Sequence, residues 1–203
     1  CFMSKSRIFN LLLFLVLVTV LGITRSHGQT IAAGSFHSIA IDQSGEIVGW
    51  GSNSFGQIYA PYSEFEAVAV AAGGSHSMAL LANGSIIQWG RIGGDTEGVP
   101  ELNDVTAISA GKSHSLALIS DGTVVCWGKD NRNQCQLPMG VKREQGNFKK
   151  IEAGGDLSLA LTNDGKLYFW GDPESPALSR STFDGVEDFA AGAKTRFESI
   201  FHI

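Results

Sequence analysis

The feature that most limits what this chain can fold into is that it repeats itself. Ala110–Gly128 reads AGKSHSLALISDGTVVCWG. Ala33–Gly51 (AGSFHSIAIDQSGEIVGWG), Ala72–Gly90 (AGGSHSMALLANGSIIQWG) and Ala153–Gly171 (AGGDLSLALTNDGKLYFWG) are copies of it. A fifth copy opens at Ala191-Gly192 and then departs from the pattern. Measured from Gly34, Gly73, Gly111, Gly154 and Gly192, the steps are 39, 38, 43 and 38 residues. A period in that range, with Trp-Gly ending each complete unit, predicts an all-β chain of stacked blades, a β-propeller.

Each unit reads as short strands joined by turns. The residue three before each glycine is apolar (Ile31, Val70, Ile108, Ile151, Phe189) and closes a first strand. The second strand carries Ile39-Ala40-Ile41, Met78-Ala79-Leu80, Leu116-Ala117-Leu118 or Leu159-Ala160-Leu161. Alternation puts the large pair on one face and the alanine on the other, where a neighbouring sheet can come close. Ser44-Gly45, Asn83-Gly84, Asp121-Gly122 and Asp164-Gly165 predict two-residue hairpin turns with positive φ at both positions. The third strand ends at Trp50, Trp89, Trp127 or Trp170, whose buried indole N–H needs a partner. The glycine that follows each lets the chain turn beside the ring. Such a sheet cannot cover both its faces, so the units must stack. The expected units are about 30–65, 66–103, 104–146 and 147–185, with the start of a fifth at 186–203. No helix of useful length is expected among them.

Residues 1–28 read as a secretory signal: Lys5 and Arg7, an apolar run Leu11–Val18, and small residues Ser26 and Gly28 before cleavage at Gln29. The 16-residue span Ile8–Ile23 is short for a membrane helix. Removal of residues 1–28 takes away three cations (Lys5, Arg7, Arg25) and leaves 12 basic against 20 acidic residues, a net charge of −8. That balance argues against nucleic acid as a partner. The one basic cluster, Lys142-Arg143 with Lys149-Lys150, reads as a solvated loop. An exported protein can form disulfides. Cys126, however, stands where other units have Gly49, Gln88 and Phe169, so it reads as an ordinary strand residue, and free Cys126 and Cys135 thiols are expected.

These units resemble the regulator of chromosome condensation repeat family, whose copies run A-G-x-x-H-S-L-A-L-x-x-D-G-x-V-x-x-W-G-x-N-x-x-G-Q. The likeness extends from Ile31 to Gly192, and Trp50–Gln57 reproduces the tail of the motif in full. The Trp127–Gln134 segment has Asn133 in place of the glycine, unit two has Asp95-Thr96, and unit four shortens to Asp172-Pro173, so loops of different shape are expected there. The linkers look like those of the secreted bacterial branch, similar to the propeller-type β-lactamase inhibitor protein. The resemblance implies a ring of about seven blades, whereas this chain has length for roughly four and a half. Together with the charged Thr195–Ser199 segment in the fifth copy, this suggests a partial propeller with open edges able to self-associate.

His37, His76 and His114 recur at one position and raise the idea of a metal ring, which Leu157 breaks in unit four. The resemblance instead assigns the histidine to the repeat, hydrogen-bonded to the inter-strand loop, beside the structural tryptophans. No nucleophile elbow, phosphate loop, metalloprotease motif or paired carboxylates are visible, so no enzyme, metal or cofactor is expected. Asn83-Gly84-Ser85 matches a glycosylation acceptor but is equally a hairpin turn. The residues that vary are on two sets of loops: Phe36, Ser75, Lys112, Ser113 and Asp156 after the A-G pairs, and Asn53, Phe55, Arg91 and Arg132 after the Trp-Gly pairs. They are the candidate contacts for a protein or cell-surface partner, since aromatic and arginine side chains anchor interfaces well. The expectation is a secreted, non-catalytic binding module. A guanine-nucleotide exchange factor-like regulator and a secreted propeller lyase or hydrolase are the alternatives.

Overall fold

The computed structural model describes residues 30–91, 98–171 and 182–190. The signal segment and the departure of the fifth copy from the motif lie outside those residues. Four antiparallel sheets follow one another along the chain. Blade 1 is β1 (Ile31–Ala33), β2 (His37–Ile41) and β3 (Ile47–Gly51). Blade 2 is β4 (Ala67–Ala72), β5 (His76–Leu81) and β6 (Ile86–Gly90). Blade 3 is β7 (Val105–Ala110), β8 (His114–Ile119) and β9 (Val124–Gly128). Blade 4 is β10 (Phe148–Gly154), β11 (Leu157–Thr162), β12 (Leu167–Gly171) and an outer β13 (Thr182–Phe183). This is an all-β partial propeller.

The stacking follows from the alternation in the second strand. Ile39 and Ile41 of blade 1 pack with Val70, Ala79 and Trp89 of blade 2. Met78 and Leu80 of blade 2 pack with Ile108, Ala117 and Trp127 of blade 3. Leu116 and Leu118 of blade 3 pack with Ile151, Ala160 and Trp170 of blade 4. In every case the large pair of one blade rests on the alanine-and-tryptophan face of the next. Each fully buried large side chain contributes about 1.5–3 kcal/mol. Among the described residues the corresponding face of blade 1 carries no neighbour, so Ile31 (59%) and Trp50 (48%) are exposed where Val70 and Trp89 are buried.

Four expectations are corrected. The hairpins are three-residue loops: Gly45, Gly84, Gly122 and Gly165 have φ of 86, 80, 81 and 85°, while the residue before each has no positive φ. Each glycine N–H bonds back to the carbonyl three residues earlier (Gly45 N to Asp42 O, 3.1 Å), giving a type I turn followed by a left-handed residue. Cys126 and Cys135 form a disulfide, with Cα atoms 5.2 Å apart. Position 135 lies directly across from position 126, as Ile58 lies against Gly49 in blade 1. The basic cluster is not a bare loop. Lys142 is on a five-residue helix α1 (Met139–Arg143), which buries Val141 against Leu116, Leu118 and Tyr168. Lys150 is on β10, bonded to Asp188 and to the Phe189 carbonyl, with its ammonium 5.0 Å over the Phe189 ring. Finally, the Asn133 loop keeps the shape of its blade 1 counterpart. Asn133 takes φ 61° where Gly56 has 77°, and Asn tolerates that region.

Candidate functional site: an interblade latch beneath a variable loop face

The residues that repeat and the residues that vary sit at one end of the blades, in two layers. The lower layer is a hydrogen-bonded latch between neighbours. His37 Nε2 meets Ser77 Oγ at 2.8 Å, His76 Nε2 meets Ser115 Oγ at 3.1 Å, and His114 Nε2 meets Ser158 Oγ at 2.9 Å. Each imidazole thus reaches the serine of the following blade instead of the loop of its own unit. Ser77 Oγ donates in turn to Gln57 O at 2.7 Å, and Trp89 Nε1 donates to that carbonyl at 2.9 Å. At the blade 3–4 junction Ser158 Oγ and Trp170 Nε1 donate to Gln134 O at 2.7 and 2.9 Å. With the serine proton spent on the carbonyl, Nε2 is the donor, and the imidazole is the tautomer whose Nδ1 is bare.

Blade 2 lacks the Gly-Gln tail, and the side chain of Gln88 replaces it. Gln88 Oε1 accepts from Trp127 Nε1 at 2.9 Å and from Ser115 Oγ at 3.5 Å. The glutamine loops are themselves braced. Phe55 N donates to Gln57 Oε1 at 2.9 Å, and Arg132 N to Gln134 Oε1 at 2.8 Å. Ser77, Ser115, Ser158 and Gln88 lie outside the candidate residues that the sequence suggests. The signal was there in part, as a serine following the first residue of every second strand.

Burial makes the histidines unusual. His76 and His114 are fully buried, and desolvation lowers each pKa from 6.5 to about 4. The mutual repulsion of the histidines adds to this at His76, whereas Asp156 and Asp130 oppose it at His114. His37 is lowered by burial as well. The ring edge opposite the serine lies on the glycine three residues upstream: a Cβ on Gly73 would stand 2.3 Å from His76 Cε1 and 2.5 Å from Gly111 O. That close approach accounts for the A-G-x-x-H spacing. Among the described residues, no group of three or more His, Cys, Asp and Glu is arranged to hold a metal.

The upper layer is the loop face. Backbone bonds tie the loop after each Trp-Gly to the loop after the A-G of the same blade: Ser52 N to Phe36 O, Arg91 N to Ser75 O and Lys129 N to Ser113 O, each at 2.8 Å. The A-G loops step from blade to blade in the same way, with Ser35 N on Gly73 O at 3.1 Å and Lys112 N on Gly155 O at 2.7 Å. The A-G loops of all four blades, Lys112 among them, line a small pocket of about 70 Å³. On this face Phe36 is 77% exposed, Phe55 is stacked under the Arg91 guanidinium (5.1 Å), and Arg132 pairs with Asp156 across the blade 3–4 junction at 3.4 Å. Asn53 turns inward instead, its Oδ1 accepting from Ile58 N at 3.3 Å. Ser75 and Ser113 are half-buried and Lys112 is exposed.

Residues 29–57 and 105–134 match the family described as Regulator of chromosome condensation (RCC1) repeat. No curated protein matches the chain. Among solved structures, Prp20p from Saccharomyces cerevisiae, reported with its binding properties to Gsp1p and histones, is similar at 22% identity and a TM-score of 0.66, over 80% of this chain and 52% of that one. The entire ectodomain of the Physcomitrella patens receptor kinase CR4 is similar at 23% identity and a TM-score of 0.64, over 80% and 46%. Human WBSCR16 follows at 19% identity and a TM-score of 0.58, over 80% and 55%. The chain spans about half the length of these structures. Two stretches of this chain thus carry the regulator of chromosome condensation repeat, and its blades share the propeller fold of these structures.

Proposed function

We propose that this chain is a secreted, non-catalytic binding module whose variable loop face engages a protein partner. One observation carries the reading: the repeated histidines, serines and tryptophans bond to one another inside the blade junctions, while Phe36, Phe55, Arg91 and Lys112 are exposed on the loops above them. Rigid aromatic and guanidinium groups over a fixed backbone frame suit protein recognition. That Prp20p is described with protein partners supports this choice of partner class. Export rests on the signal-like residues 1–28, and the oxidised Cys126–Cys135 pair is in keeping with it.

Two measurements test the two halves. A reporter enzyme fused behind residues 1–28 should be exported and begin at Gln29; retention in the cytosol refutes secretion. The immobilised chain should retain a protein from the extracellular milieu that the Phe36→Ala/Arg91→Ala variant does not. Equal retention by both, or substrate turnover in a hydrolytic screen, refutes the loop-face reading.

A further inference from the structure

At the end of the blades opposite the loop face, one outer strand edge is open. Ile41 donates its N–H to Thr30 O, on the β1 side, at 2.8 Å. The facing pair Ile41–Ile47 therefore exchanges no hydrogen bond, and the N–H and C=O of Ile47 point outward from β3. The equivalent groups are occupied in two other blades. In blade 3, Val124 N donates to Gln145 Oε1 at 2.7 Å and Gln145 Nε2 donates to Val124 O at 3.1 Å, so one side-chain amide takes both. In blade 4, Leu167 is paired with Phe183 of β13. Ile47 has neither arrangement among the described residues.

Beside Ile47 lies a groove of about 330 Å³. Ile47 and Ile87 form part of its floor, and Tyr62, Phe65, Glu46 and Glu64 stand along it. Tyr62 is 90% exposed and Phe65 49%. Among the described residues, no lysine, arginine or histidine lines it.

We propose that this groove binds an extended, lysine- or arginine-bearing peptide segment of a protein partner, which adds to the edge of β3 at Ile47. The backbone half of the fit is strand addition, the same pairing that β13 makes with β12. The side-chain half follows from charge and from the aromatic faces. Successive side chains of an extended peptide alternate, so every second one faces the groove. A cation there meets the carboxylates and the faces of Tyr62 and Phe65, and such contacts already occur within the chain, with Lys166 Nζ 5.7 Å over Tyr168. An anionic or purely apolar segment lacks that match. The site is separate from the loop face, so it stands whatever that face binds.

The test uses the full chain and a fluorescent peptide of about seven residues alternating valine and lysine, long enough for one strand. Anisotropy should report binding. Methylating alternate peptide amides, which blocks the ladder and keeps the charge, should weaken it about tenfold or more. The Glu46→Lys/Glu64→Lys variant should weaken it to a similar degree; both residues are exposed, so the fold is expected to survive and circular dichroism checks it. No binding at millimolar peptide, or binding indifferent to either change, overturns the proposal. A concentration-dependent dimer lost in the charge-reversed variant overturns it too, by giving the edge to a second copy.

Discussion

Acid should unlatch this propeller well above the pH at which carboxylates are neutralised. In the folded chain His76 and His114 are neutral, with pKa about 4, whereas an unfolded histidine titrates at 6.5. A depressed folded pKa means that the unfolded chain binds more protons between those values. Stability is therefore complete above pH 6.5 and falls as the pH drops toward 4. From pH 7 to pH 5 each histidine costs about 1.8 kcal/mol, so the pair costs about 3–4 kcal/mol. Against a typical domain stability of about 5–15 kcal/mol this is a large fraction. His37 acts in the same direction. The cost has a structural cause: protonation adds an N–H at Nδ1, an atom with no hydrogen-bond partner at any of the three histidines. The carboxylates with shifted pKa values do not produce this loss. Asp42, Asp164 and Asp188 have lowered pKa values, so their contribution is lost only below about 3.8. Glu152 is raised by burial and works the other way, gaining stability as acid is added. Urea unfolding followed by tryptophan fluorescence at pH 7, 6 and 5 measures the effect. The His76→Gln/His114→Gln variant should lose most of the pH slope, since the glutamine amide can still donate to serine without titrating. A midpoint that does not move between pH 7 and 5, or a slope unchanged in the variant, refutes the argument.

Three further perturbations probe the same framework. Reducing the Cys126–Cys135 bridge, which spans 9 residues of sequence, should cost about 2–3 kcal/mol, read as a lower urea midpoint in reductant; no change would show that the bridge restrains nothing in the unfolded chain. Gly73→Ala should destabilise by more than about 3 kcal/mol because its Cβ meets backbone and imidazole, and Gly45→Ala, with open space around it but φ 86°, by about 1 kcal/mol. Equal melting shifts for the two glycine variants would contradict the close-approach account of the repeat. Trp89→Ala should cost about 3–5 kcal/mol, whereas the half-exposed Trp50→Ala should cost about 1 kcal/mol; matching losses would mean that blade 1 is covered in solution.

What could be read beforehand was whatever the repeat encodes locally. The large-small-large triplets fixed which face meets which neighbour, because alternation along a strand has only two outcomes. The hairpin type is not legible because Asp-Gly and Asn-Gly serve two loop geometries, which the bond from Asp42 N to Glu46 O distinguishes. The disulfide is hidden from a comparison of strand positions, because the partner of Cys126 is the loop residue that corresponds to Ile58. Nor does a single repeat show that Ser77 bonds to His37 and Gln57. That relation exists only between consecutive units, and spacing within one unit is silent on it.

The latch also gives the array a direction. At each junction the earlier blade supplies the imidazole and the acceptor on its glutamine, and the later blade supplies serine and indole. The two ends of the described array are therefore chemically different. Blade 1 presents the later-blade half, with Trp50 exposed. Blade 4 offers Leu157 where an imidazole would be needed, and Leu157, Leu159 and Phe169 are already covered by Phe183 and Phe189. A second copy placed head to tail would bring Leu157 against Ser38 and leave that hydroxyl without its nitrogen partner. Open edges alone thus do not make self-association through these ends favourable. A Leu157→His variant restores the missing group; if it does not raise the association seen in sedimentation, this polarity is not what sets the pairing of blades.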